Sequence, residues 1–228
     1  MGSQKITLET DENVLKLKGQ RVKASFQTAP AEDFPKLYEQ KGKELLSIKR
    51  DEVETFLNRV CFAAAVDSSR PALSGILFDS QKNGVLFVAT DSYRLSYQKT
   101  PLKTLRELAK PIVIPARVLK EMLFIKEDGD QINFFVSEDS NQILLSLGDT
   151  VLVGRLIDAE YPSYGKIIPT DFSTKASFNR DEMANAIKIC SVFARETANI
   201  VKVSLEKDKI TISANSPSVG EDLVEVDA

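Results

Sequence analysis

Leu45-Leu46-Ser47-Ile48-Lys49-Arg50-Asp51-Glu52-Val53 carries an apolar stretch straight into a basic and then doubly acidic step. The same progression returns at Ala176-Ser177-Phe178-Asn179-Arg180-Asp181-Glu182-Met183. Arg50 and Arg180 stand 130 residues apart. Each site reads as a strand that runs directly into a helix, with both acidic residues in the first turn, where the helix dipole favours negative charge. A second pair agrees: Ala31-Glu32-Asp33-Phe34-Pro35 matches Asp158-Ala159-Glu160-Tyr161-Pro162 at an offset of 127 residues. Two matches at nearly one offset make a repeat. Its period is too long for a solenoid unit and is the length of a whole domain.

Working outward, each acidic–aromatic–proline turn follows strand-like runs. In the first copy these are Lys5–Leu8, Val14–Lys18 and Val22–Phe26; in the second, Ile132–Val136, Ile143–Leu147 and Val151–Leu156. The unit therefore reads as strand, helix, strands, a second strand and helix, more strands, then the turn. Residues 43–169 supply a complete unit, 4–42 only the last part of one, and 170–228 only the first part of a third; 1–3 read as a tag remnant. Part-units cannot close their sheets alone, so each is expected to need the other, a partner chain or further sequence.

The helices show one apolar stripe each at helical period. In 51–65 the stripe is Val53, Phe56, Leu57, Val60, Cys61 and Ala64, with Thr55, Asn58 and Arg59 facing away. In 116–125 Val118, Leu119 and Met122 face inward, Arg117 and Lys120 share the outer face, and Pro115 suits the helix start. In 181–194 Met183, Ala186, Ile187, Cys190 and Ala194 form the stripe, with Lys188 opposite. Strands are expected at Gly75–Phe78, Val85–Ala89, Leu95–Tyr97, Pro111–Ile114, Val201–Leu205 and Ile210–Ser213, separated by turn signals such as 81–84 and 127–130. The class is α+β: antiparallel sheets with few amphipathic helices on one face.

Composition bounds the chemistry. Hydrophobic residues make up 43% and charged residues 28%, enough for a sizeable core. No apolar run of about 18 residues predicts a membrane span. The net charge of −3 does not favour general phosphate binding, although a single basic face remains compatible with it. Two cysteines, Cys61 and Cys190, make no disulfide framework and point to a reducing cytoplasm. The chain has no histidine, so Ser-His-Asp and Cys-His catalysis and histidine-held metals are excluded. It has no phosphate-binding loop, no G-x-G-x-x-G and no C-x-x-C. Carboxylates are scattered, and an enzyme using carboxylate-bound metal would have only Asp91 as a suggestive centre. No cofactor is expected. A purely structural oligomerisation module, binding neither DNA nor peptide, is the other alternative.

Four ordered segments carry a resemblance: Ser69-Arg70-Pro71-Ala72-Leu73-Ser74-Gly75-Ile76, Ala89-Thr90-Asp91-Ser92-Tyr93-Arg94-Leu95, Ile114-Pro115-Ala116-Arg117 and Tyr161-Pro162-Ser163-Tyr164. Together they resemble the bacterial DNA polymerase III beta subunit, the sliding clamp, over essentially the whole chain. The resemblance implies a DNA-clamp fold of repeated domains, sheets outside and helices lining the hole of a head-to-tail ring. It implies a non-catalytic DNA polymerase processivity factor that slides on duplex DNA. In its terms 4–42 is the end of the first domain, 43–169 the second and 170–228 the start of the third. Arg59, Arg117, Lys120 and Lys188 become candidate hole-facing cations, and Arg70 a candidate on a DNA-facing loop. Sparse cations of this kind attract phosphates without reading bases.

The family's other site is a hydrophobic groove between the second and third domains. It takes short linear motifs from the polymerase, clamp loader and repair proteins. The positions here that match its wall are Leu73, Thr90, Ser92, Tyr93, Arg94, Leu95, Pro162, Lys166 and Ile167. With only parts of the first and third domains in the sequence, the groove is expected to be half-built and ring closure compromised.

Overall fold

The computed structural model describes residues 5–34, 42–67, 69–105, 108–127, 129–137 and 141–228. Residues 1–3, Pro35 of the first turn motif and Asp128 of the 127–130 turn lie outside them. The chain divides into two compact units, Met1–Pro162 and Ser163–Ala228.

The first unit opens with an antiparallel three-stranded sheet of β1 (Thr7–Asp11), β2 (Val14–Lys18) and β3 (Lys23–Gln27). There follow β4 (Lys43–Lys49), α1 (Arg50–Val60), β5 (Gly75–Gln81), β6 (Gly84–Thr90), β7 (Leu95–Thr100), β8 (Ile112–Pro115), α2 (Ala116–Phe124), β9 (Gln131–Ser137), β10 (Gln142–Leu147) and β11 (Thr150–Arg155). These strands make two four-stranded antiparallel sheets, ordered β11-β10-β9-β4 and β7-β6-β5-β8. The apolar stripe of α1 is buried as its period requires, and Cys61 and Ala64 extend it into a short 3-10 turn at Cys61–Ala63. Val53, Phe56, Leu57 and Val60 share one core with Leu119 and Met122 of α2 and with Ile132, Phe134, Val136, Ile143, Leu145 and Leu147 of β9 and β10. Phe56 stacks on Phe87 at 4.6 Å between ring centroids, and Phe78 meets Phe87 edge-on at 5.3 Å. The β5–β6 turn requires glycine: Gly84 has φ +139°, and a Cβ there would fall on the Thr100 carbonyl oxygen.

The second unit has α3 (Arg180–Ala194), β12 (Lys202–Glu206), β13 (Lys209–Ser216) and β14 (Gly220–Asp227). The strands form one sheet, β12-β13-β14. Met183, Ala186, Cys190 and Ala194 of α3 pack on Ile210, Ile212, Ala214 and Val226. Asn179 caps the helix, its Oδ1 accepting from the N–H groups of Asp181 (2.9 Å) and Glu182 (3.2 Å).

Three expectations need correction here. Ala176-Ser177-Phe178 is not a strand: it pairs with no strand among the described residues, whereas β4 is held by β9. Ile187 belongs to the helical stripe by spacing but is 42% exposed; a single sheet covers only part of the helix face. β14 has no counterpart among the expected strands, since its Glu-Asp-Leu-Val-Glu-Val-Asp pattern is half charged. A smaller shift moves the first strand from 5–8 to Thr7–Asp11.

Candidate functional site

The turn joining β6 to β7 is built by its own side chains. Thr90 and Leu95 form the last strand pair. The Thr90 hydroxyl donates to the Arg94 carbonyl (2.7 Å) and accepts from the Ser92 N–H (3.1 Å). Asp91 Oδ1 accepts from the N–H groups of Tyr93 and Arg94, both at 3.0 Å, and Asp91 Oδ2 pairs with Arg94 Nε at 3.0 Å. The backbone N–H of Arg94, then that of Tyr93, holds the Asp91 carboxyl below its ordinary range. Ser92 takes φ +79°, a conformation sparsely populated outside glycine.

A second segment meets this turn. Arg70 Nη1 donates to Ser92 Oγ at 2.9 Å, across 22 residues of sequence. The Leu73 side chain is buried, its N–H donates to the Arg70 carbonyl (3.0 Å) and its own carbonyl accepts from Ala65 (2.9 Å). The Arg94 guanidinium lies 5.4 Å from the centre of the Phe62 ring. Together Ala64–Asp67, Ser69, Arg70, Leu73 and Asp91–Arg94 enclose an open recess of about 460 Å³. Tyr93 and Val66 project from its rim, 99% and 96% exposed. Apolar side chains beside two held guanidinium groups suit the grip of a short peptide, with Arg70 and Arg94 offering donors to its carbonyls or carboxylates. Phe62 and Val66 are absent from the sequence-based set; their signal is that both are apolar yet fall off the helical stripe.

The structure thus brings Arg70 together with Leu73, Ser92, Tyr93 and Arg94 around the recess, with Thr90 and Leu95 forming the strand pair beneath. Pro162 is exposed and ends the first unit, just after Tyr161, whose hydroxyl donates to the Val88 carbonyl at 3.1 Å. Lys166 and Ile167 are exposed residues of the second unit, in and just after a short helical turn at Tyr164–Lys166.

The basic candidates divide differently. Arg59 ends α1 with its side chain exposed, and its carbonyl accepts from Ser96 Oγ at 2.6 Å. Arg117 on α2 is exposed and makes a loose 3.8 Å ion pair with Glu121. Lys120 is half-buried rather than fully outward: its charge acts on Cys61, opposing the burial that pushes that thiol up to about 11. These three stand on two helices that pack against each other. Lys188 is exposed on α3 of the other unit. Burial also raises the Cys190 thiol, which contacts Asp222 Oδ2 at 3.3 Å, so both thiols stay protonated near neutral pH. Both Asp91 oxygens are engaged within the turn, and among the described residues no three Cys, Asp or Glu side chains gather as a metal site.

Comparison with known proteins gives a consistent picture. Residues 47–163 match the family model of the DNA polymerase III beta subunit, central domain, and residues 165–228 match that of its C-terminal domain. The chain is 30% identical over 199 residues to the beta sliding clamp of Staphylococcus aureus, covering 86% of this chain and 52% of that protein. The Staphylococcus epidermidis beta sliding clamp is 29% identical over the same length. Among solved structures, the DNA polymerase III beta chain of Streptococcus pneumoniae superposes with a TM-score of 0.79 at 26% identity, covering 97% of this chain and 59% of that one. The DNA polymerase sliding clamp of Bacillus subtilis gives 0.79 and 26%, covering 98% and 59%. The chain spans about half the length of the curated relatives it matches.

Proposed function

The chain belongs to the DNA polymerase III beta subunit family, and on that premise we propose that it acts as a non-catalytic processivity scaffold. In this reading the recess beside the β6–β7 turn captures short linear motifs of the replicative polymerase, clamp loader and repair proteins. Helix cations hold the scaffold on duplex DNA without reading sequence, in the cytoplasm, and subunits associate as a ring. The observation that carries the reading is the ordering of Arg70, Leu73 and Asp91–Arg94 around one open recess with an apolar rim. Pro162, Lys166 and Ile167 are assigned to the same peptide site. Residues 4–42 are assigned to the end of a first clamp domain, 43–169 to a whole second and 170–228 to the beginning of a third; in chain order, one three-stranded sheet precedes the two four-stranded sheets and another follows them, which supports that division.

The peptide site is tested by titrating a capped clamp-binding pentapeptide against the isotope-labelled chain. Saturable shifts concentrated at the Leu73 and Leu95 methyl resonances are expected, and Leu73→Ala should weaken binding by a factor of at least about ten, the loss of a buried apolar anchor. Flat spectra at both residues sink the peptide reading and favour a module with structural duties alone.

DNA binding is tested by the salt dependence of affinity for a duplex. Each phosphate neutralised contributes about 0.9 to the slope of log affinity against log salt. Arg59→Ala and Arg117→Ala should each lower that slope by about this amount, equally on unrelated duplex sequences. Unchanged slopes in both variants would remove this helix pair from the DNA path.

A further inference from the structure

Ser92 occupies a backbone position that suits glycine. Its φ of +79° lies in the left-handed region, where a Cβ crowds the following carbonyl and glycine alone sits unstrained. The turn itself does not need the side chain. The Thr90 hydroxyl holds the Ser92 N–H at 3.1 Å, and Asp91 Oδ1 holds those of Tyr93 and Arg94. These bonds shape the loop whichever residue stands at 92. A side chain retained at such a position needs a reason outside the turn.

The one hydrogen bond that Ser92 Oγ makes among the described residues supplies it. Oγ accepts from Arg70 Nη1 at 2.9 Å, across 22 residues of sequence. Neither acid of the recess holds this guanidinium. Asp67 engages one carboxylate oxygen with the Ser69 N–H (2.9 Å) and the other with the Ser69 hydroxyl (2.7 Å). Asp91 engages both of its oxygens within its own turn, on the N–H groups of Tyr93 and Arg94 and on Arg94 Nε. Arg94 is thereby fixed by Asp91 and lies over the Phe62 ring. The Arg70 guanidinium has Ser92 alone as its partner among the described residues. An arginine left free loses its rotamer freedom when a ligand arrives; one already tethered does not.

We propose that Ser92 is a positioning residue of the peptide site. Its hydroxyl fixes Arg70 against the β6–β7 turn before the peptide arrives, and leaves the other guanidinium N–H groups for the main-chain carbonyls of that peptide. This inference rests on the peptide reading above and adds to it a residue that acts through Arg70.

The test is a double-mutant cycle on the full chain, read as affinity for the capped clamp-binding pentapeptide. Ser92→Ala removes the hydroxyl and keeps the backbone strain; Ser92→Gly removes both. Each should weaken binding about three- to tenfold, the range for one net hydrogen bond. The urea midpoint of Ser92→Gly should stay level or rise, because the strain is gone. In an Arg70→Ala background neither substitution should weaken binding further. Unchanged affinity in Ser92→Ala, or an equal loss with and without Arg70, overturns the positioning role and leaves the peptide site standing. A Ser92→Gly midpoint that drops in step with affinity also overturns it, since Ser92 would then serve the fold. No binding by the unaltered chain overturns the peptide reading itself, and this role with it.

Discussion

Phe87→Ala is expected to lower the unfolding free energy of the Met1–Pro162 core by about 3–5 kcal/mol, the range for emptying a buried phenylalanine site. Phe87 is fully buried, stacks on Phe56 of α1 and meets Phe78 across the β5–β6 pair. One ring therefore joins the helix to the sheet and holds the two adjacent strands in register. Truncation removes its transfer free energy, leaves a cavity and deletes two aromatic contacts, each worth about 0.5–1.5 kcal/mol beyond area. Against a total of about 5–15 kcal/mol for an ordinary domain, that is a large fraction. Urea unfolding followed by amide exchange checks it unit by unit: protection should fall across β5 and β6 while the amides of β12–β14 keep theirs. Tyr93→Ala is the matched comparison. Tyr93 is almost wholly exposed, so its removal should change stability by less than about 0.5 kcal/mol. A Phe87→Ala loss no larger than that would mean the α1–sheet joint is not where the core is held.

That core is the part of the molecule the amino-acid pattern states most openly. Val53, Phe56, Leu57, Val60, Cys61 and Ala64 recur at helical period because one helix face must leave water, and all six are buried. The Arg50/Arg180 match falls on the first residue of α1 and of α3, so both copies open a helix on the same Arg-Asp-Glu step. What the pattern leaves unsaid is decided by partners distant in sequence. Ala176-Ser177-Phe178 has the residues of a strand and lacks a ladder; Ile187 has the spacing of a core residue and lacks a second sheet. Arg70 reads as a loop arginine, and its hydrogen bond to Ser92, 22 residues on, is not visible in the pattern. The left-handed conformation of Ser92 is equally hidden, because it is imposed by Thr90 and Asp91 binding the backbone around it. Local periodicity is legible in one sequence; long-range hydrogen bonds and missing neighbours are not.

The Asp91 turn yields the largest expected effect on binding. Asp91→Ala should weaken the pentapeptide at least about tenfold while the fold is kept, because an unordered Ser92–Arg94 segment must be fixed at the moment of binding. The acceptors lost are those for the Tyr93 and Arg94 N–H groups, and Arg94 is also freed to leave the Phe62 ring. Asp91→Asn separates two causes. Its amide oxygen can still accept both N–H bonds, while the ion pair to Arg94 is gone, so affinity should recover most of the way if turn order dominates. The pH dependence follows from the depressed carboxyl. Its folded value lies below the ordinary 3.8, so the turn's stabilisation is complete above that value and is lost as pH falls through the lower folded one. Asp67, lining the same recess, is held low chiefly by the Ser69 hydroxyl and N–H and titrates in the same acid range. Affinity for a capped peptide without ionisable groups should therefore stay level from neutral pH down to the ordinary carboxylate range and fall only below it. In Asp91→Asn only the share belonging to Asp67 should remain. Full affinity in Asp91→Ala would show that the recess binds its peptide without the order this turn imposes, and would shift the weight of recognition to Leu73 and the exposed rim.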